Sequence, residues 1–425
     1  MVKYLGYLRK RGIKVTDFKN TKKYTFVFIK WIIIALVVGA VGGAVGSLFH
    51  LCVDFVTEVR VKNDFIIYFL PIAGLVVAGM YKLTKSCDGV DTNCVIEAVQ
   101  TEREVPFKMA PLIFGSTVIT HLFGGSAGRE GAALQLGGSI GYNIGKIFRL
   151  TKRELHLIVM LGMSAVFTAL FGTPVTAVFF SMEVINVGIV HYTALIPAFV
   201  AVVTAKLIAS GFGISPVAFN ISSFPGFSFD LLWKTVVIAF FCALVGILFC
   251  FTLEKTEHLV KKLMPNIFVR GFAGGALIVL LTVLVGNNDY NGAGMDIIEN
   301  AISGQTVPWA FILKIIFTAI TVACGFKGGE IVPAFFIGST FGCTIAPLLG
   351  LDASFGAVLG FVCLFCSAVN CPVASLMLAL EVFGSKGILI FAVAVAVSYV
   401  ASGNFSLYKS QKISYSKIEN KFLNE

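Results

Sequence analysis

The stretch GREGAALQLGGSIG (residues 128–141) lies without a gap over GEIVPAFFIGSTFG (329–342), about 200 residues further on. The overlay sets Gly128 on Gly329, Leu134 on Phe335, Gly137 on Gly338 and Gly141 on Gly342. Shifts within a few residues of that one bring Leu161-Gly162 over Leu359-Gly360, PVTAVFFSMEV (174–184) over PVASLMLALEV (372–382), and VIEAV (95–99) beside IIENA (297–301). Matches that keep one order along the chain mark a duplicated architecture.

The duplication sits in a very apolar chain. Of 425 residues, 57% are hydrophobic and 13% charged, against roughly 25% charged in a soluble domain, and the mean hydropathy is +0.89. This is the composition of an integral membrane protein, and the apolar runs repeated along its length are expected to make it an all-α polytopic one. The run 31–53 carries no charge and is long enough to cross a hydrocarbon core of about 30 Å. Further apolar runs are 109–123, 157–182, 193–205, 235–253, 272–285, 309–324, 333–349, 355–369 and 388–400. Several are too short for a full crossing and are interrupted by glycine. The spacing predicts broken or re-entrant helices, which a bilayer tolerates only where backbone is buried in protein or lines a cavity.

Charge asymmetry orients the halves. The N-terminus is rich in Lys and Arg, lacks the apolar core and cleavage site of a signal peptide, and is expected in the cytoplasm. The short basic tail is expected there too. The linker 212–230 has no Lys or Arg and reads as extracellular, 253–271 is basic and reads as inside, and 287–305 is acidic and reads as outside. The halves then have opposite orientation. The expected divisions are a basic cytoplasmic segment 1–30, a first transmembrane repeat 31–211, an extracellular linker 212–230, a second repeat 231–402 and a cytoplasmic tail 403–425. The net charge of +10 sits mainly in the flanks, where topology and anionic headgroups explain it without nucleic acid.

Ten cysteines lie mostly in apolar runs without a disulfide framework, and Cys363 and Cys366 read as small packing residues. The five histidines lack metal-ligand spacing. No metal or cofactor is expected, and no Ser/His pair or phosphate loop supports an enzyme: GGSAGREG lacks the GK[ST] ending of a P-loop and is not a GxGxxG fingerprint.

A glycine-rich segment that opens a helix at mid-membrane depth presents unpaired N–H groups and the positive end of the helix dipole. Two such starts, one per repeat, would make an anion site. Glu130 stands at the first of them. A carboxylate there can occupy the site when ionised and leave when protonated or displaced, so Glu130 reads as gate and proton carrier, since an ionisable residue within the membrane is a functional candidate by default. Glu183 and Glu381 hold equivalent places in the two repeats and read as closing helix ends, and Pro174 and Pro372 as helix starts.

GREG, GGEIVP and a late tyrosine after an apolar run resemble the CLC family of anion channels and anion/proton exchangers, over about residues 31 to 410. The resemblance implies a CLC-type fold of two inverted repeats, a homodimer, transport of halide anions and protons across the plasma membrane, and an anion site at Gly128, Arg129 and Gly131. It makes Glu130 the external gating glutamate, places Ile331 and Val332 in the second anion motif, and makes Tyr408 the tyrosine of the central site. The family's serine-bearing stretch is replaced by GVDTNCVIEAV (89–99), leaving Asp91, Thr92 and Asn93 as equivalents. The inner proton glutamate is absent, with Val184 in its place, while GGEIVP introduces Glu330. Loss of one glutamate and gain of another resembles the fluoride/proton exchanger clade, although Val332 and Ala132 depart from its motifs. Small, strongly hydrated fluoride needs several donors, here the amides of Gly131, Ile331 and Val332 with Thr92, Asn93 and Tyr408, and Glu330 would carry the inward proton. Arg129 either orients the gate or pairs with a carboxylate. Chloride/proton exchange and a passive chloride channel of the same fold stay open.

Overall fold

The computed structural model describes residues 18–85, 91–101, 103–219, 221, 224–419 and 421–423, with side chains from residue 24 onward. Of the expected N-terminal segment, residues 1–17 lie outside the described residues, as do 89 and 90 of the replaced serine stretch.

The described residues form two ranks of eight helices. The first rank is α1 (Phe18–Lys62), α2 (Leu70–Leu83), α3 (Thr92–Gln100), α4 (Met109–Leu122), α5 (Glu130–Ile147), α6 (Lys152–Phe171), α7 (Pro174–Glu183) and α8 (Leu195–Gly211). The second is α9 (Phe229–Leu263), α10 (Ile267–Val285), α11 (Met295–Ile302), α12 (Ala310–Ala323), α13 (Ile331–Ile345), α14 (Ala353–Val369), α15 (Pro372–Phe383) and α16 (Ile388–Ala401). A two-residue β1 (Asn186–Val187) pairs in parallel with β2 (Lys412–Ile413) of the tail.

Helix length explains the breaks. α4 and α12 have 14 residues each, about 21 Å at 1.5 Å per residue, short of the hydrocarbon core. Each stops part-way, the chain turns at a positive-φ glycine, Gly124 (φ 83°) or Gly325 (φ 95°), and α5 or α13 restarts at that depth. The run 157–182 is two helices rather than one. Gly172 takes the left-handed conformation at φ 70° and ends α6, and Pro174 starts α7. α1 passes residue 30 without interruption, and the α2 segment, which is absent from the apolar runs, is entered through a 3-10 turn at Asp64–Phe69.

Packing reproduces the duplication. α5 crosses α6 where a Cβ on Gly137 would lie 2.2 Å from Gly162 O, and α13 crosses α14 where a Cβ on Gly338 would lie 2.2 Å from Gly360 O. Phe335 of α13 stacks on Phe361 of α14 with ring centroids 4.0 Å apart. Glu183 and Glu381 do close helix ends, each in the opposite repeat. Glu381 accepts the Val175 and Thr176 amides at the start of α7 (3.0 and 2.8 Å), and Glu183 accepts the Val373 and Ala374 amides at the start of α15 (3.2 and 2.8 Å). A carboxylate on a helix N-terminus satisfies amides that lack intrahelical partners. Seven described helices are long and apolar enough to span a membrane.

Candidate functional site

The two glycine loops meet. Gly128 N–H donates to Gly329 O at 2.7 Å and Gly329 N–H donates to Gly128 O at 2.6 Å. Side chains are excluded from this crossing, because a Cβ on Gly329 would fall 2.3 Å from Gly131 N and one on Gly128 would fall 2.4 Å from Glu130 Oε2. α5 and α13 therefore begin beside one another, and their first-turn amides are gathered at one place.

Glu130 is fully buried at this crossing. Its Oε2 accepts the Arg129 amide at 2.9 Å, the Val332 amide at the start of α13 faces the same carboxylate, and its Oε1 accepts no hydrogen bond from the described residues. The amides of Glu130, Arg129 and Val332 thus gather on a carboxylate that keeps one oxygen without a partner among the described residues. Arg129 pairs with Asp54 at 2.5 Å, which also meets His50 Nε2 at 3.0 Å, and Arg129 Nε stands 4.0 Å from Glu130 Oε1. Pairing with a carboxylate is thus its main contact.

Two vestibules approach the crossing. The first, about 300 Å3, is lined by Arg60, His121, Arg129, Glu130, Asn291 and Val332. The second, about 350 Å3, is lined by Thr92, Asn93, Gln135, Lys327, Glu330 and Tyr408. Glu130 faces the first and Glu330 the second. Glu330 Oε2 would be 3.5 Å from a Cβ on Gly131, so each glutamate lies against the helix start of the opposite repeat.

The second vestibule sorts the three equivalents of the missing serine. Asp91 caps α3, accepting the Cys94 amide at 3.1 Å. Asn93 accepts the Ser410 amide at 3.0 Å, tying down the tail. Buried Thr92 accepts from Gln135 Nε2 at 2.9 Å, which leaves its own hydroxyl proton to donate. The tail is held further by Ser410 Oγ donating to Glu97 at 2.6 Å and Gln100 donating to Ser410 O at 2.8 Å. Tyr408 is consequently buried, with a hydroxyl that has no hydrogen-bond partner among the described residues. Outside the membrane-spanning helices, Ser410 and then Arg103 hold the Glu97 carboxyl below its ordinary range.

The predicted residues thus fall into three places. Gly128 and Gly131 lie at the crossing with Gly329, and Ile331 is buried at the start of α13; Glu130, Arg129 and Val332 face the first vestibule, and Thr92, Asn93, Glu330 and Tyr408 face the second. Sequence reading missed Gln135, Arg60, His121 and Lys314. Lys314 is fully buried and donates to Gly292 O at 2.7 Å and Tyr290 O at 3.2 Å, bracing a loop of the first vestibule. A lone lysine within the apolar run 309–324 was a signal that could have found it.

Residues 73–403 match the family model of the voltage gated chloride channel. The chain is 34% identical over 395 residues to a chloride/fluoride channel protein of Pseudomonas syringae pv. tomato, covering 91% of this chain and 87% of that protein. It is 25% identical to the H(+)/Cl(-) exchange transporter ClcA of Yersinia pestis, covering 88% of this chain and 83% of that protein. Among solved structures it resembles a CLC-type fluoride/proton antiporter with a TM-score of 0.88 and 33% identity, covering 92% of this chain and 99% of the other. A slow cyanobacterial Cl-/H+ antiporter shares the fold, with a TM-score of 0.74 at 20% identity, covering 88% of this chain and 94% of the other.

Proposed function

We infer that this chain, which belongs to the voltage-gated chloride channel family, exchanges a halide, fluoride ahead of chloride, for protons across the plasma membrane, with Glu130 as the gate. The observation that carries the reading is the seat of the Glu130 carboxylate, buried where the starts of α5 and α13 converge and met by backbone amides of both. Helix N-termini attract anions. A carboxylate in that seat competes with the transported anion, and protonation weakens its hold on the amides, so the arrival of an anion is linked to a proton.

Glu330 supplies the second proton station on the opposite vestibule. Between the two glutamates lie the donors for a desolvated anion: the amides of Gly131, Ile331 and Val332, with the hydroxyls of Thr92 and Tyr408. When protonated, Glu330 also becomes a hydrogen-bond donor to fluoride. Fluoride is favoured by the Glu330 carboxyl in the second anion motif, and by likeness to a relative whose name includes fluoride and a structure described as a fluoride/proton antiporter.

Both termini are proposed to be cytoplasmic. Lys30 near the start of α1 pairs with Glu154 at the start of α6, whereas Arg60 near the far end of α1 lines the first vestibule. The tail residue Lys409 lines the second. Basic flanks on that side fit the positive-inside rule. The homodimer belongs to the same proposal, and a detergent-solubilised mass of one chain rather than two would overturn it.

Efflux from proteoliposomes loaded with fluoride or chloride, with external pH recorded, tests the exchange. Fluoride efflux with proton uptake, slower chloride efflux, and loss of coupling in Glu130→Ala are expected. Chloride as fast as fluoride overturns the fluoride assignment, and efflux without proton movement in the wild type makes the protein a channel.

A further inference from the structure

Next to the second vestibule, where the C-terminal end of α2 meets the N-terminal end of α10, a pocket of about 40 Å3 is lined by Tyr81, Arg270, Cys324 and Lys327. The helices touch backbone to backbone beside it, a Cβ on Gly74 falling 2.2 Å from Gly271 O. Tyr81 is 5% exposed and its hydroxyl has no hydrogen-bond partner among the described residues. Arg270 Nε is likewise buried without one. Lys327 Nζ sits 4.6 Å from the centre of the Tyr81 ring. No carboxylate among the described residues forms an ion pair with Arg270 or Lys327.

Two cations and an unused hydroxyl therefore surround one small space that holds no acid. Buried donors are ordinarily satisfied, and leaving them unmade is costly. A group with several oxygens and a negative charge would satisfy the Tyr81 hydroxyl and Arg270 Nε and meet the Lys327 ammonium as well, and guanidinium, ammonium and phenol suit a phosphate best. The space is too small for a whole phosphodiester, so the phosphate oxygens would enter while the rest of the molecule stays outside. The flanking surface fits such a molecule. Val76 and Leu83 of α2, and Val269 and Phe272 of α10, are exposed apolar side chains on the same two helices.

We propose that this pocket holds the phosphate of an anionic phospholipid, with the acyl chains lying along α2 and α10. Basic pockets between transmembrane helices recognise such headgroups. The pocket's lining carries two cations and no carboxylate, which selects an anionic lipid over a zwitterionic one. Lys327 also lines the second vestibule, which sets the bound phosphate beside the Glu330 side of the transport path.

The test uses the full chain, delipidated in a neutral detergent and titrated with phosphatidylglycerol, with phosphatidylcholine and with inorganic phosphate, with binding read by native mass spectrometry. Phosphatidylglycerol is expected to bind about tenfold more tightly than phosphatidylcholine. Arg270→Gln should reduce that affinity about tenfold and Tyr81→Phe severalfold, the latter keeping side-chain shape so that the fold is preserved. Equal binding of the two lipids, or wild-type phosphatidylglycerol binding in both variants, would overturn the proposal. Displacement of phosphatidylglycerol by equimolar inorganic phosphate would also overturn it, because the ligand would then be a soluble oxyanion.

Discussion

Gly128→Ala is a small perturbation aimed at the gate alone. The added Cβ would lie 2.4 Å from Glu130 Oε2, whereas ordinary contact begins at 3.4 Å, so the carboxylate must withdraw by about 1 Å. That displacement stretches its 2.9 Å hydrogen bond to the Arg129 amide beyond the range in which such bonds hold. A hydrogen bond to a charged group is worth about 1.5 to 3 kcal/mol, so the seated conformation should lose about tenfold to hundredfold in population. The neighbouring Val332 Cβ at 3.0 Å and Pro333 Cδ at 3.2 Å need give only a few tenths of an ångström. In proteoliposomes, Gly128→Ala should release fluoride faster than wild type while the protons taken up per fluoride fall, as in Glu130→Ala. Gly128→Ala/Glu130→Ala should match Glu130→Ala, since the methyl then has no carboxylate to displace, and the two effects should fail to add. Gly329→Ala provides the contrast. Its Cβ meets Gly131 N at 2.3 Å, backbone that cannot step aside, so that variant should lose monodispersity in size-exclusion chromatography. Wild-type coupling in a well-folded Gly128→Ala, or additive losses in the double variant, would refute the reasoning.

Two further outcomes follow from the contacts between repeats and from the tail. Glu381→Ala removes hydrogen bonds of 3.0, 2.8 and 2.7 Å to Val175, Thr176 and the Thr176 hydroxyl, and should cost about 3 kcal/mol or more, with Glu381→Gln recovering part. The midpoint of thermal unfolding in detergent reports it, and an unchanged midpoint contradicts the capping role. Asn93→Ala frees the Ser410 amide at a cost of about 1 kcal/mol. It should raise hydrogen exchange at 407–411 and slow fluoride efflux, whereas wild-type exchange there would sever the link between α3 and the placement of Tyr408.

Much of the fold could be read directly. Gly128 and Gly329, matched by the offset alone, form the backbone bridge at the centre of the molecule, because only residues without side chains let two re-entrant loops cross so closely. Glu183 and Glu381, matched in the same way, proved to be caps. What pattern could not supply was the exchange of partners: that each caps the opposite repeat depends on two helices distant in sequence lying end to end. The break at Gly172 was hidden for a related reason, since an unbroken apolar run conveys hydropathy but not backbone conformation.

The site divides in the same way. Sequence alone determined the chain's membrane character, its duplication, the glycine-initiated helices and the place of Glu130 at a helix start, because apolar length and helix-start chemistry act between near neighbours and the duplication is written in the order of the residues. Only the tertiary structure decided which vestibule each glutamate faces, that Arg129 pairs with Asp54, that Asp91 caps α3 and Asn93 ties down the tail while Thr92 meets Gln135 in the second vestibule, and that the tail around Tyr408 is held there by α3. Those outcomes depend on contacts between residues up to some 317 positions apart, and such contacts exist only once distant helices have packed against one another, within a repeat for Arg129 and Asp54 and between the tail and the first repeat for Asn93 and Ser410.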